Sequence, residues 1–264
     1  MQKITNTIFL ILTLVVNYLS VSLPLNGKTP GQLSDQYPNL FTPAPLTFAI
    51  WSVIYSVLIA FAIWQFWPIR DVARKDRRET AIQTLGYDFA LLSVLNMGWL
   101  ALWHYEQMAL SVVVMLALLS LLIRINRRFF EQPVDTNDIR YFVRLPFGIY
   151  LGWISVATVA NITALLVSVQ WNGFGIDPAI WTITVIVIAA VLAAMALLRW
   201  KNVPYVGAVT WALYGIYSKQ SIPLTNPRSD AVQWAAAGAM LALVLWLVWY
   251  FVKKNNLRQA VANG

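Results

Sequence analysis

Apolar residues gather in eight long runs separated by short polar joints, covering roughly residues 8–25, 46–67, 85–104, 108–126, 146–169, 179–199, 203–218 and 232–252. Most of these runs approach the roughly 20 residues that an α-helix needs to cross a hydrocarbon core of about 30 Å; the run at 203–218 is the shortest. In lipid each backbone N–H and C=O has to find its partner within the segment, so such runs are helical. The expected fold is all-α, a polytopic membrane helical bundle of about eight transmembrane helices. No small-residue cleavage pattern follows Leu25, so the first run reads as a retained helix rather than a signal peptide.

Composition agrees, with 59% hydrophobic residues and a mean hydropathy of +0.62. Charge then sets the direction. Of the 19 Lys and Arg residues, all but Lys28, Lys219 and Arg228 fall on one side when the runs are threaded alternately through a bilayer. Positively charged joints stay in the cytoplasm, which places both termini there. The expected location is an integral one, in the bacterial inner membrane. The net charge of +8 belongs to loops that meet anionic headgroups, and no nucleic-acid partner is needed to account for it.

The chain has no Cys, which excludes disulfides, thiolate catalysis and iron–sulfur ligation. Its single histidine, His104, stands beside Tyr105 and Glu106 at the end of the third run and cannot make a metal site alone. No ionisable residue falls near the middle of a run, where a proton relay or ion-coupled transporter would keep one. Catalytic and metal-binding residues are therefore not expected.

Thirteen tryptophans are present, and interfacial belts account for nine. Trp51, Trp99, Trp153 and Trp211 lie too deep for a belt, where an indole N–H needs a partner or a polar cavity. Asn96 precedes Trp99 by three residues, and Asn161 lies two turns beyond Trp153 with Ala157 between them. Two readings stay open for these carboxamides: orienting a ligand's polar edges, or bonding helix to helix. The joint at 26–45 is long for a helix connection and is a candidate lid. Trp51, Tyr55, Asn96, Trp99 and Asn161 fall in the half of the bilayer that it would cover, with Trp153 deeper as a candidate floor.

Three stretches carry a family resemblance. FTPAPLTFAIWSVIY at 41–55, LLSVLNMGW at 91–99 and YLGWISVATVAN at 150–161 resemble, in order, motifs on helices two, three and five of the TspO/MBR family of tryptophan-rich sensory proteins and translocator proteins. Leu46 stands where the family pattern has its first Trp, Ala44 replaces its second Pro, and Ile149 replaces the Pro before Tyr150. The resemblance implies a five-helix TspO-like domain at 1–171, followed by three additional helices and a tail at 172–264. It implies a receptor or carrier that binds a flat hydrophobic ligand, a porphyrin or related tetrapyrrole, without a required cofactor. The implied ligand-binding residues are Phe48, Trp51, Tyr55, Asn96, Trp99, Tyr150, Trp153, Ala157 and Asn161. Light-dependent porphyrin degradation and small-molecule transport are the alternatives. The expected partners are a hydrophobic small molecule and the lipid bilayer; whether the chain forms a homo-oligomer is left open. In the last three helices, Trp211, Tyr214 and Tyr217 recur at three-residue steps, a face that either extends the cavity or packs against the first five helices.

Overall fold

The computed structural model describes residues 1–23, 25–131, 136–221 and 227–262, and every regular element among them is helical. The long rods are α1 (Gln2–Ser22), α3 (Ile50–Trp64), α5 (Asp88–His104), α6 (Met108–Phe130), α8 (Leu145–Ser168), α9 (Pro178–Trp200), α10 (Val203–Gln220) and α11 (Pro227–Ala262). Shorter pieces are α2 (Pro30–Asp35), the 3₁₀ turn Pro45–Ala49 that leads into α3, α4 (Val72–Leu85) and α7 (Asn137–Ile139), which enters α8 through a π-helical stretch, Arg140–Arg144.

Among the described residues, six helical segments are long and apolar enough to cross a membrane, and a seventh crossing arises if α4 and α5, bent by 48°, are counted together. The chain is thus an all-α polytopic membrane bundle. Of the eight expected spans, α5 has only 17 residues, and α10 is not among the six. A physical reason is visible for α10: α8, α9, α11 and the 3₁₀ turn enclose it, and Val206, Val209, Ala212 and Ile216 are buried. A helix sheathed by protein needs less apolar surface than one bathed in lipid. The joint after α3 is also more ordered than its charge suggests. Asp71 caps α4 by accepting from the Arg74 amide at 2.7 Å, and the helix buries Ala81, Ile82 and Leu85.

Helix starts are written in the sequence. Asp177 with Pro178 opens α9, its carboxylate accepting from the Ala179 amide at 2.8 Å; Asn202 opens α10 by accepting from the Tyr205 amide at 3.1 Å. Asn202 also donates to Asn126 of α6, whose own amide reaches the Phe147 carbonyl of α8. Glycine then lets α10 come close to α8. A Cβ at Gly152 would lie 2.6 Å from the Tyr205 carbonyl oxygen.

Among the described residues, a large hydrophobic core extends from Leu10 of α1 to Leu243 of α11, and a smaller cluster gathers Leu33, Trp103, Met108 and Ala164. The two ends differ in charge. At one, which we term the basic end, Lys3 pairs with Glu79, Arg74 with Asp138, and Arg124 and Arg128 with Asp88. At the other, the lid end, α2 lies across the bundle.

Candidate functional site

Between α1, α3, α5 and α8, beneath α2, lies a cavity of about 590 Å³. Seven of the nine implied ligand-binding residues line it: Phe48, Trp51 and Tyr55 from the second run, Trp99 from the third, and Trp153, Ala157 and Asn161 from the fifth. Their rings touch one another. Trp51 stacks on Tyr55 with centroids 5.5 Å apart and meets Trp153 edge to face at 6.3 Å; Phe48 meets Trp153 edge to face at 5.7 Å. Trp99 stacks on Trp103 at 6.1 Å. Small side chains at Ala157 and Ala160 keep the space between these rings open.

The other two motif residues stand behind the wall. Asn96 and Tyr150 border a much smaller void together with Tyr55, Thr13 and Ser93. Asn96 accepts from Asn17 at 3.0 Å and donates to the Tyr150 hydroxyl at 3.0 Å, so its carboxamide joins α1, α5 and α8. Asn161 is engaged in the same way, accepting from the Trp99 indole at 2.8 Å and donating to Ser111 of α6 at 2.9 Å. Of the two readings of these carboxamides, helix-to-helix bonding describes the contacts they make.

Trp211 does not reach the cavity. Its indole N–H donates to the Thr47 carbonyl at 2.9 Å, and it packs beside Tyr214. Of the aromatic face of α10, Trp211 and Tyr217 pack against the core, while Tyr214 is exposed. Leu46 is exposed and does not line the space either.

Several lining residues are not among those nine: Leu14, Asn17, Tyr18 and Val21 on α1, Ser52 on α3, and Trp103 on α5. Trp103 sits one turn beyond Trp99, a spacing that puts both on one face, but its position near the end of the run reads as a belt residue. Asn17, a lone carboxamide in an apolar run, was the available signal on α1. None of the lining residues carries a charge.

The 26–45 segment covers the cavity, contributing Thr29, Pro30, Gly31, Ser34, Pro43 and Pro45. It is tied on two flanks. On the α5–α6 side, Glu106 receives Lys28 at 2.9 Å and the Tyr37 hydroxyl at 3.1 Å, the Trp103 indole donates to the Pro30 carbonyl, and Leu33 is fully buried against Trp103, Met108 and Ala164. On the α10 side, the Ala44 amide donates to the Gly215 carbonyl and Gln220 donates to the Leu40 carbonyl, each at 2.9 Å. The hydrogen bond from Lys28 holds the Glu106 carboxyl below its usual range, while burial and the bond to Glu106 push the Tyr37 phenol up. His104 is buried at the end of α5, bonded through Nδ1 to the Leu100 carbonyl.

A family model described as TSPO-like protein matches residues 3–249. No curated protein and no solved structure matches the chain.

Proposed function

Because this chain belongs to the TSPO-like protein family, we propose that it is a membrane-embedded binding protein for a flat, hydrophobic molecule, with a porphyrin or related tetrapyrrole as the first candidate. The observation that carries this reading is the cavity of about 590 Å³ walled by four indoles and by Phe48 and Tyr55. That volume is in the range of small-molecule sites, and aromatic walls suit a planar π-system. Burying roughly 300 Å² of apolar ligand surface at about 25 cal/mol per Å² contributes on the order of 7 kcal/mol before association costs.

The test is a titration with protoporphyrin, read by intrinsic Trp fluorescence. Saturable quenching that weakens in Trp51→Ala supports the reading. Linear, unsaturable quenching that is equal in parent and variant counts against it.

A second reading, light-dependent breakdown of a bound porphyrin, draws on the ring contacts of Trp51, Tyr55 and Trp153, which set oxidisable side chains beside a photoexcited pigment. Illuminating the loaded protein without the appearance of a new absorbing species retires it. In either reading the basic end faces the cytoplasm, in the bacterial inner membrane, by the bias of Lys and Arg. Thiol labelling of Lys253→Cys from one side of sealed vesicles checks that orientation.

A further inference from the structure

We infer that the ligand enters the cavity sideways from the hydrocarbon phase, between the lid-end halves of α1 and α3, and that it is a molecule dissolved in the bilayer. This deepens the ligand-binding reading above and rests on it.

The two helices are pinned at the basic end and parted at the other. Near the basic end the Asn6 amide donates to the Gln65 side chain at 3.0 Å, with both residues fully buried. About three turns further on, the two helices border the cavity instead, Asn17, Tyr18 and Val21 lining it from α1 and Trp51, Ser52 and Tyr55 from α3.

Three of these six mark a mouth. Tyr18 is 71% exposed and Val21 60%, and Ser52 is exposed as well, yet all three line the interior space. Side chains that border a cavity and the outside at once stand at its opening. Beside the mouth the surface is apolar on both helices, with Val15 and Leu19 on α1 and Val53 and Ile59 on α3 all exposed. That surface suits acyl chains rather than water.

From above, the route is shut. Reaching the cavity through the lid would break the Lys28 and Tyr37 bonds to Glu106 and draw Leu33 out of its buried seat. The Gln220 and Gly215 contacts hold the far edge. A lateral route breaks none of these bonds. Access is then governed by the ligand's mole fraction in the bilayer rather than by its concentration in water.

The chain has no Cys, so a single thiol can be placed and modified after folding. Ser52→Cys and Tyr18→Cys are each reacted with a bulky maleimide, with Ser120→Cys, exposed on α6, as control. Protoporphyrin is delivered from phosphatidylcholine vesicles and its arrival followed by stopped-flow Trp quenching. Labelling at position 52 or 18 is expected to slow arrival about tenfold relative to the same variant before labelling. Labelling at 120 leaves the rate unchanged, and the rate follows the porphyrin mole fraction in the vesicles. Rates indifferent to labelling at both mouth positions, with faster arrival in Glu106→Gln, overturn the lateral route in favour of the lid. Absence of saturable quenching in the unlabelled parent overturns the binding reading itself.

Discussion

Trp99 donates its indole N–H to Asn161 at 2.8 Å, and Asn161 passes its own amide to Ser111 at 2.9 Å. Three helices, α5, α8 and α6, are thereby joined along one side of the cavity. The wall is held by side-chain hydrogen bonds as well as by packing.

Removing the middle member leaves the Trp99 indole N–H without its acceptor, while the Ser111 hydroxyl keeps its bond to the Met108 carbonyl. Asn161→Ala is expected to lower stability by about 1–3 kcal/mol, the cost of losing these bonds between helices. Thermal unfolding in detergent checks this. A double-mutant cycle with Trp99→Phe should show coupling, because Trp99→Phe adds little once Asn161 is gone.

The cavity can also be filled. Ala157 lines it on α8, and Ala157→Phe projects a ring into open space. The expected outcome is loss of saturable porphyrin quenching with thermal stability kept or raised by about 0.5–2 kcal/mol. Parent-like binding by a stably folded Ala157→Phe would remove this cavity from consideration as the ligand site.

Two glycines of α10 should respond oppositely to alanine. A Cβ at Gly215 would collide with the Thr47 side chain and come within 2.8 Å of Pro43, so Gly215→Ala is expected to cost about 1–3 kcal/mol. Gly207 has nothing within 4 Å of the same atom, and Gly207→Ala should be neutral or stabilising by up to about 1 kcal/mol. Denaturation midpoints of the two variants, measured side by side, decide this.

Acid should loosen the lid. The Glu106 carboxyl is held below its ordinary value of 4.5, first by the hydrogen bond from Lys28. A depressed carboxylate contributes stability fully present above its unfolded value and lost as pH falls through its lower folded value. The lid therefore stays latched at neutral pH and loosens only as pH falls below the ordinary carboxylate value of 4.5. Trp103, whose indole touches Pro30 in the lid, should report the change in a fluorescence titration, and Glu106→Gln should show the released signal already at pH 7. Tyr37 bounds the other side. Its phenol is raised above 10.0, so its contribution is present below that value and is lost only as pH rises through the higher folded value.

The bundle itself was legible because apolar runs of membrane-crossing length are local signals. Cross-chain relationships were less so. The partner of the Trp211 indole is a carbonyl 164 residues away, and no spacing within α10 could reveal it; an indole too deep for a belt had simply found a backbone acceptor. Asn96 and Tyr150 share the depth of the cavity residues, but they point into a bonded layer behind it. The α1 side of the cavity was hidden for a different reason. Leu14, Tyr18 and Val21 belong to an ordinary apolar run, and what makes them lining residues is the parting of α1 from α3. The charges of α4 mimic a loop, because an unbroken charged stretch at 74–79 precedes its buried apolar positions Ala81, Ile82 and Leu85.

Gly215 gives the last three helices a definite task. Its carbonyl receives the Ala44 amide, and its missing side chain leaves room for Thr47 and Pro43, so α10 acts as the far doorpost on which the cover of the cavity hangs. A chain cut at residue 171 would keep every ring around the hollow and lose that post. Such a fragment would hold its cover by the Glu106 flank alone and would not be a smaller copy of this protein.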